Sequence, residues 1–236
     1  MTDTNEPTPN PNGAGRRRGE HGPRRPMDRD LAVRVDEYLG DRYWHEDDVL
    51  QQVLDDTAER GPTIQVGREG GKLLDVLVRA TGARRALEVG TLFGYSGIWI
   101  ARALPDDGHL DTIELSDLHA DAAEHWLDAA GVADKVTVHR GRGLDVLPTL
   151  DGPYDLAFVD ADKVSYPQYV TLVLDRLRPG GTLVVDNTIR NGRIAEPGDA
   201  DDEAVREMHD LLAARADVSA TALYVRDGIV VAVKTG

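Results

Sequence analysis

The chain has 236 residues, with 42 acidic against 27 basic side chains and a formal net charge of -15, a balance that repels nucleic-acid phosphates and anionic membranes over most of the surface. It contains no cysteine, which excludes disulfides, thiolate nucleophiles, Fe–S clusters and thiolate zinc sites, so any metal must rest on oxygen or imidazole ligands. No apolar run is long enough for a membrane span and none has the form of an export signal, so the expected setting is cytoplasmic.

Residues 1–30, "MTDTNEPTPNPNGAGRRRGEHGPRRPMDRD", are rich in Pro, Gly, Asn and Arg and nearly free of large apolar groups. Such a segment cannot offset its ordering entropy and is expected to be a disordered tail. Its cluster of Arg16, Arg17, Arg18, Arg24 and Arg25 is expected to be solvated, and Met27 is an alternative start. Residues 31–236 are expected to form a single domain, with N-terminal helices over 31–82. Apolar residues at three- and four-residue spacing predict helices over "LAVRVDEYL" and "DDVLQQVLDDTAER", the second broken by "GPT". "EGGKLLDVLVRAT" predicts a third helix, entered through Gly70 and Gly71.

After Gly82 short apolar strands alternate with helices: "RALEV", "HLDTIEL", "KVTVH", "YDLAFVD" and "GTLVVD" are the strands. The helices between them are "GYSGIWIARAL", "DLHADAAEHWLDAA" with Asp117 as its N-cap, the short "GLDVLPTL", and "YPQYVTLVLDRL"; the turn "RPGG" leads into strand five. "DDEAVREMHDLLAAR" is a last helix, and "SATALYV" and "GIVVAVK" form a hairpin turned at Asp227-Gly228. This order implies an α/β fold: a mostly parallel sheet with helices on both faces and an antiparallel edge. Ligands in such folds sit at the carboxyl ends of the strands.

The first strand end, "LEVGTLFGYSG", holds Glu88, Gly90, Gly94, Ser96 and Gly97, and the second strand ends in Glu114. A carboxylate there can accept both hydroxyls of a ribose. NAD and S-adenosylmethionine compete for such a site. The glycine spacing departs from GxGxxG, and Glu88 would repel a pyrophosphate but favour the ammonium and sulfonium of S-adenosylmethionine, so the methyl donor is preferred. Strand four ends in Asp160 and strand five in Asp186-Asn187. As sequential strands these should emerge side by side, giving a hard-oxygen set suited to Mg²⁺ or another divalent cation. Lys163 reaches the same mouth and can carry a proton.

The segments "ALEVGTLFGYSGIWIA", "IEL", "AGVADKVTVHRGRGLDVLPTL", "YDLAFVDADKVSYPQYV" and "RPGGTLVVDNTIRNG" resemble the cation-dependent O-methyltransferases, the family of catechol and caffeoyl-CoA O-methyltransferases and their bacterial relatives. The resemblance implies a Rossmann-like class I methyltransferase fold with a seven-stranded, mostly parallel sheet and an antiparallel last strand. It implies a metal held by Asp160, Asp186 and Asn187, with Lys163 as general base. It places Glu114 on the ribose, Gly90, Ser96 and the Val66 backbone at the methionine end, Gly143 near the adenine, and Asp160 at the donor as well. Asp162 is expected to orient its loop. Gly143 stands where the family commonly has Ala, a change expected to loosen adenine packing slightly.

The loop "TIRNGRI" is expected to shape the acceptor pocket, with Arg190 and Arg193 solvated, Trp44 lining the pocket, Trp99 and Trp126 in helix packing, and Tyr166 and Tyr169 explained by packing. The activity implied is methyl transfer to a catechol-type or vicinal-hydroxyl small molecule by a homodimer joined through its N-terminal helices. The alternatives are an NAD-linked oxidoreductase and a non-catalytic binding protein.

Overall fold

The computed structural model describes residues 28–236; the Arg cluster, Met27 and nearly all of the expected tail lie outside the described residues. Helix α1 (Arg29–Tyr43) begins two residues before the expected domain start. The compact units divide at Tyr38, inside α1, and Leu39–Gly236 forms one unit. Helix α2 (Asp48–Arg60) opens on Asp47, whose carboxylate accepts the Leu50 amide at 3.1 Å, and closes at Gly61. Helix α3 (Arg68–Thr81) starts at Gly67, so Gly70 and Gly71 lie inside it and not at its entrance. Both are buried where neighbours need the space, Gly70 under Val66 and Gly71 under the Trp99 indole.

Seven strands follow in alternation with helices: β1 (Arg85–Val89), α4 (Tyr95–Ala103), β2 (His109–Glu114), α5 (Asp117–Ala129), β3 (Val136–Arg140), α6 (Gly143–Val146), β4 (Tyr154–Val159), α7 (Tyr166–Arg176), β5 (Leu177–Asp186), α8 (Ala200–Ala214), β6 (Val218–Leu223) and β7 (Ile229–Lys234). The α5 N-cap is Ser116, whose hydroxyl accepts the His119 amide, while Asp117 occupies the first turn. The strands form one sheet in the order β3-β2-β1-β4-β5-β7-β6. Strands β1 to β5 are mutually parallel. Strand β7 is antiparallel to both β5 and β6, so the antiparallel strand lies one place in from the edge, and β6 at the edge runs parallel to the first five. The "RPGG" segment belongs to β5 as an irregularity, because the register shifts between Tyr154 and Leu156.

Side-chain alternation along the strands builds two cores, one on each face of the sheet. Leu156, Phe158 and Val184 pack with α2 to α5 on one face. Ala157, Val159, Leu183 and Val185 pack with α7 and α8 on the other. Among the described residues no helix is long and apolar enough to cross a membrane.

At the amino ends of the strands, Asp155 accepts the backbone amides of Arg84 and Arg85, both at 2.8 Å, and the Arg178 guanidinium at 2.6 Å. This carboxylate joins the starts of β1, β4 and β5. Asp155→Ala removes all three bonds and is expected to lower stability by about 2 kcal/mol, less than their sum because the site is partly exposed. Urea unfolding of the variant, read by its midpoint at unchanged slope, checks this; an unchanged midpoint refutes it.

Candidate active site

The carboxyl ends of the strands open into one cavity of about 860 Å³. Val66, Gly90, Ser96, Glu114, Gly143, Asp160, Lys163 and Asn187 all line it. Gly90 takes a left-handed backbone (φ 101°), and a Cβ there would overlap the Asp160 carbonyl oxygen, so only glycine lets the two strand ends approach. Glu114, at the end of β2, accepts the Leu92 amide on Oε2 at 2.8 Å and the Ser116 amide on Oε1 at 2.9 Å. His119 Nδ1 lies 3.3 Å away. The carboxylate is thus fixed by backbone donors while each oxygen retains a lone pair for a ligand hydroxyl.

Glu88 and Asp186 are not on the cavity wall. Glu88 is fully buried beneath the glycine loop, where Thr112 donates to its Oε2 at 2.6 Å. Burial pushes its carboxyl up to about 7, against the opposing pull of the Ser96 and Thr112 hydroxyls. Glu88 thus stands behind the cavity wall, with the Ser96 and Thr112 hydroxyls as its partners. Asp186 is 1% exposed. Its Oδ1 accepts the Asn187 amide at 2.7 Å, while its buried Oδ2 has no hydrogen-bond partner. Burial first, and then the neighbouring Asp160 charge, raise the Asp186 carboxyl to about 6.

Lys163 lies between these groups. Its Nζ donates to Asp160 Oδ1 at 2.7 Å and to the Tyr166 hydroxyl at 2.6 Å. The Tyr166 hydroxyl in turn donates to the Asp186 carbonyl at 3.0 Å. Tyr166 is therefore a positioning residue for Lys163, a role that packing alone did not suggest, although its place three residues after Lys163 was the available signal. Tyr169 does the same for Asp162: its hydroxyl donates to Oδ1 at 2.6 Å while Ser165 donates to Oδ2. Asp162 is thereby tied to its own loop, as expected.

Other expectations change. Gly143 leaves no gap, because a Cβ there would stand 2.6 Å from Tyr169 Cε1 and 3.0 Å from Val89 Cγ1. Arg190 and Arg193 are not solvated ends: their Nε atoms donate to the buried Asp202 at 3.1 and 2.8 Å. The Trp44 ring packs against the Arg68 guanidinium, 5.5 Å away, and is not among the residues lining the cavity. Trp99 is buried in the core and Trp126 packs against it.

The residues at β4 and β5 fit a divalent cation. Two carboxylates are held close enough to repel, one carries an unpartnered buried oxygen, and Asn187 supplies a neutral amide in a left-handed conformation (φ 55°). Among the described residues no three His, Cys, Asp or Glu side chains converge; Asp160, Asp186 and Asn187 offer oxygen donors, the kind that hard divalent cations prefer.

A seven-stranded sheet with this order, a glycine loop after β1 and a ribose-type carboxylate after β2 define a Rossmann-like methyltransferase. The chain belongs to the O-methyltransferase family, whose model matches residues 41–235, and it is a methyltransferase enzyme. It is 42% identical over 193 residues to the catechol O-methyltransferase of Mycobacterium tuberculosis, covering 80% of this chain and 87% of that one. It is 38% identical over 204 residues to that of Niastella koreensis, covering 84% and 92%. The solved O-methyltransferase TomG of Streptomyces achromogenes, in complex with S-adenosylmethionine, superposes with a TM-score of 0.85 at 42% identity, covering 89% of this chain and 100% of that one. The O-methyltransferase of Bacillus cereus, in complex with S-adenosylhomocysteine, gives 0.82 at 37% identity, covering 86% and 97%. The NAD-linked and non-catalytic alternatives fall with this membership.

The raised Glu88 carboxyl makes stability depend on pH. At and below its ordinary value of 4.5 the group is neutral folded and unfolded, and the fold keeps its full stability. As pH rises from there through about 7, ionisation in the unfolded chain withdraws that stability, by about 3 kcal/mol in all. Glu88→Gln is expected to flatten this part of the profile, measured as unfolding free energy of both proteins from pH 4.5 to 8; parallel profiles refute the assignment.

Proposed function

We propose that this enzyme transfers the methyl group of S-adenosylmethionine to one hydroxyl of a catechol-type or vicinal-diol small molecule, with a divalent cation, Mg²⁺ by its donor set. The observation that carries the reading is Asp160, Lys163 and Asn187 lining one cavity with Glu114, while the unpartnered oxygen of Asp186 is buried next to Asn187. The methyl donor is supported by the complexes of the TomG and Bacillus cereus proteins, and the diol by the catechol O-methyltransferase relatives.

Asp160, Asp186 and Asn187 would hold the cation, which raises the acidity of a chelated diol. Glu114 binds the ribose hydroxyls and, with the Gly90 loop and the Val66 backbone, fixes where the donor lies. Lys163 Nζ accepts the proton of the reacting hydroxyl. That role needs a lone pair on Nζ directed at the reacting hydroxyl. The Tyr166 hydroxyl keeps Nζ at the mouth through the transfer. Fixing the acceptor oxygen against the sulfonium methyl lowers the barrier by positioning, up to ~7–11 kcal/mol in favourable cases.

Lys163→Ala is expected to reduce kcat by about 100-fold or more, and Asp160→Ala to abolish turnover nearly completely, while calorimetry still detects S-adenosylmethionine binding to both. Tyr166→Phe should lower kcat about tenfold with KM little changed. Full activity in EDTA would sink the metal assignment.

A homodimer through the N-terminal helices belongs to the same reading, supported by the apolar side chains that α1 leaves exposed, Leu31, Val33 and Tyr43. Sedimentation velocity should give twice the chain mass, and a monomer at micromolar concentration rejects it.

A further inference from the structure

We propose that Arg226 selects acceptors that carry a carboxylate on the diol-bearing ring. This rests on the diol reading above and specifies the substrate class further.

Arg226 sits in the turn between β6 and β7, in a left-handed backbone conformation (φ 51°), and lines the cavity. The turn is anchored to the segment after β5: Ile189 donates to the Asp227 carbonyl at 2.7 Å, Thr188 to the Gly228 carbonyl at 3.0 Å, and the Asn191 amide to the Asp227 carboxylate. From this fixed base the guanidinium reaches across the cavity to Gly67, where a Cβ would overlap Nη1. It lies near enough to Asp186 for its charge to act on that carboxylate. Arg226 therefore stands between the metal-type residues and the Val66-Gly67 backbone, where an acceptor ring must enter.

Two other cations that line the cavity are committed, while Arg142 lines it between Gly141 and Gly143. Lys163 is held by Asp160 and Tyr166, and Arg190 by Asp201 and Asp202. Arg226 has one ion-pair partner, Glu69, met by Nη1 alone at 3.2 Å with both side chains partly exposed. A single contact of this kind in a solvated setting is weak. A planar guanidinium offers five donors and takes a carboxylate best through two parallel bonds. An acceptor carboxylate can thus displace Glu69 and gain a better-paired cation. The surrounding Asp160, Asp186, Asp201, Asp227 and Glu69 would otherwise repel such an acceptor, so the discrimination rests on Arg226.

The test compares kcat/KM for 3,4-dihydroxybenzoate and for catechol, with Mg²⁺ and S-adenosylmethionine, in the wild type, Arg226→Gln, Arg226→Lys and Glu69→Gln. The preference for the carboxylated diol should fall about 10- to 100-fold in Arg226→Gln. It should be partly restored in Arg226→Lys, and should rise in Glu69→Gln, where the competing carboxylate is gone. Equal losses on both diols, or a loss confined to donor affinity, overturn the proposal and leave Arg226 as a strut between the turn and α3. Calorimetric binding of benzoate and of phenol to the wild type and Arg226→Gln gives an answer without turnover. If the wild type methylates neither diol, the diol reading fails, while a benzoate affinity that drops in Arg226→Gln more than phenol affinity still upholds charge selection and an equal change rejects it.

Discussion

The pairing of β4 with β5 sets the chemistry. Because Val159 lies opposite Val185 in a parallel register, the next residue of each strand, Asp160 and Asp186, leaves the sheet at the same edge with like charge. The strands are buried on both faces, and Asp186 is buried with them while Asp160 faces the cavity. Lys163 partly neutralises Asp160, and the Asn187 amide takes one oxygen of Asp186. The remaining Asp186 oxygen is unmatched within the protein. A fold with two packed apolar cores can sustain such a local cost, and sites of this kind are where proteins hold unfavourable charge for use.

Around that pair the polar groups are fixed by partners outside the cavity. Glu114 is gripped by two backbone amides, Asp162 by two hydroxyls, and the segment after β5 by Asp202, which collects two arginines and the Gly198 amide. The ligand-facing groups therefore need little reorganisation when a ligand arrives, and electrostatic stabilisation is most effective when its geometry is set in advance. The loops carrying these groups stay short and tied because the strands beneath them end at nearly the same height.

Much of this was legible in the sequence because strand period and strand-end chemistry are local signals. The runs "DLAFVD" and "TLVVD" show both their buried strands and the acids that end them, and the order of elements implied that the two acids would be neighbours. What escaped depended on contacts distant in sequence. Glu88 read as a ligand-facing acid, yet in a strand covered on both faces its side chain is buried, here beside Thr112, its partner on β2. The slot at Gly143 is closed by Tyr169, a residue of α7 with no sequence relation to the glycine loop. Arg190 and Arg193 look solvated until Asp202 is brought beneath them by α8. The hairpin was expected to give the sheet an antiparallel edge, and the last strand does run antiparallel; that it inserts between β5 and β6 depends on a pairing with β5 that is distant in sequence.

That insertion has a consequence for synthesis. The β5 edge carries "TLVVD", and its partner is Ile229–Lys234, made after the other six strands of the sheet. The half of the sheet that carries Glu114 and the glycine loop can pair as it emerges, whereas β5 presents an unpaired apolar edge for the time it takes to make α8, β6 and the turn. Unpaired edges of this kind are where nascent chains associate wrongly.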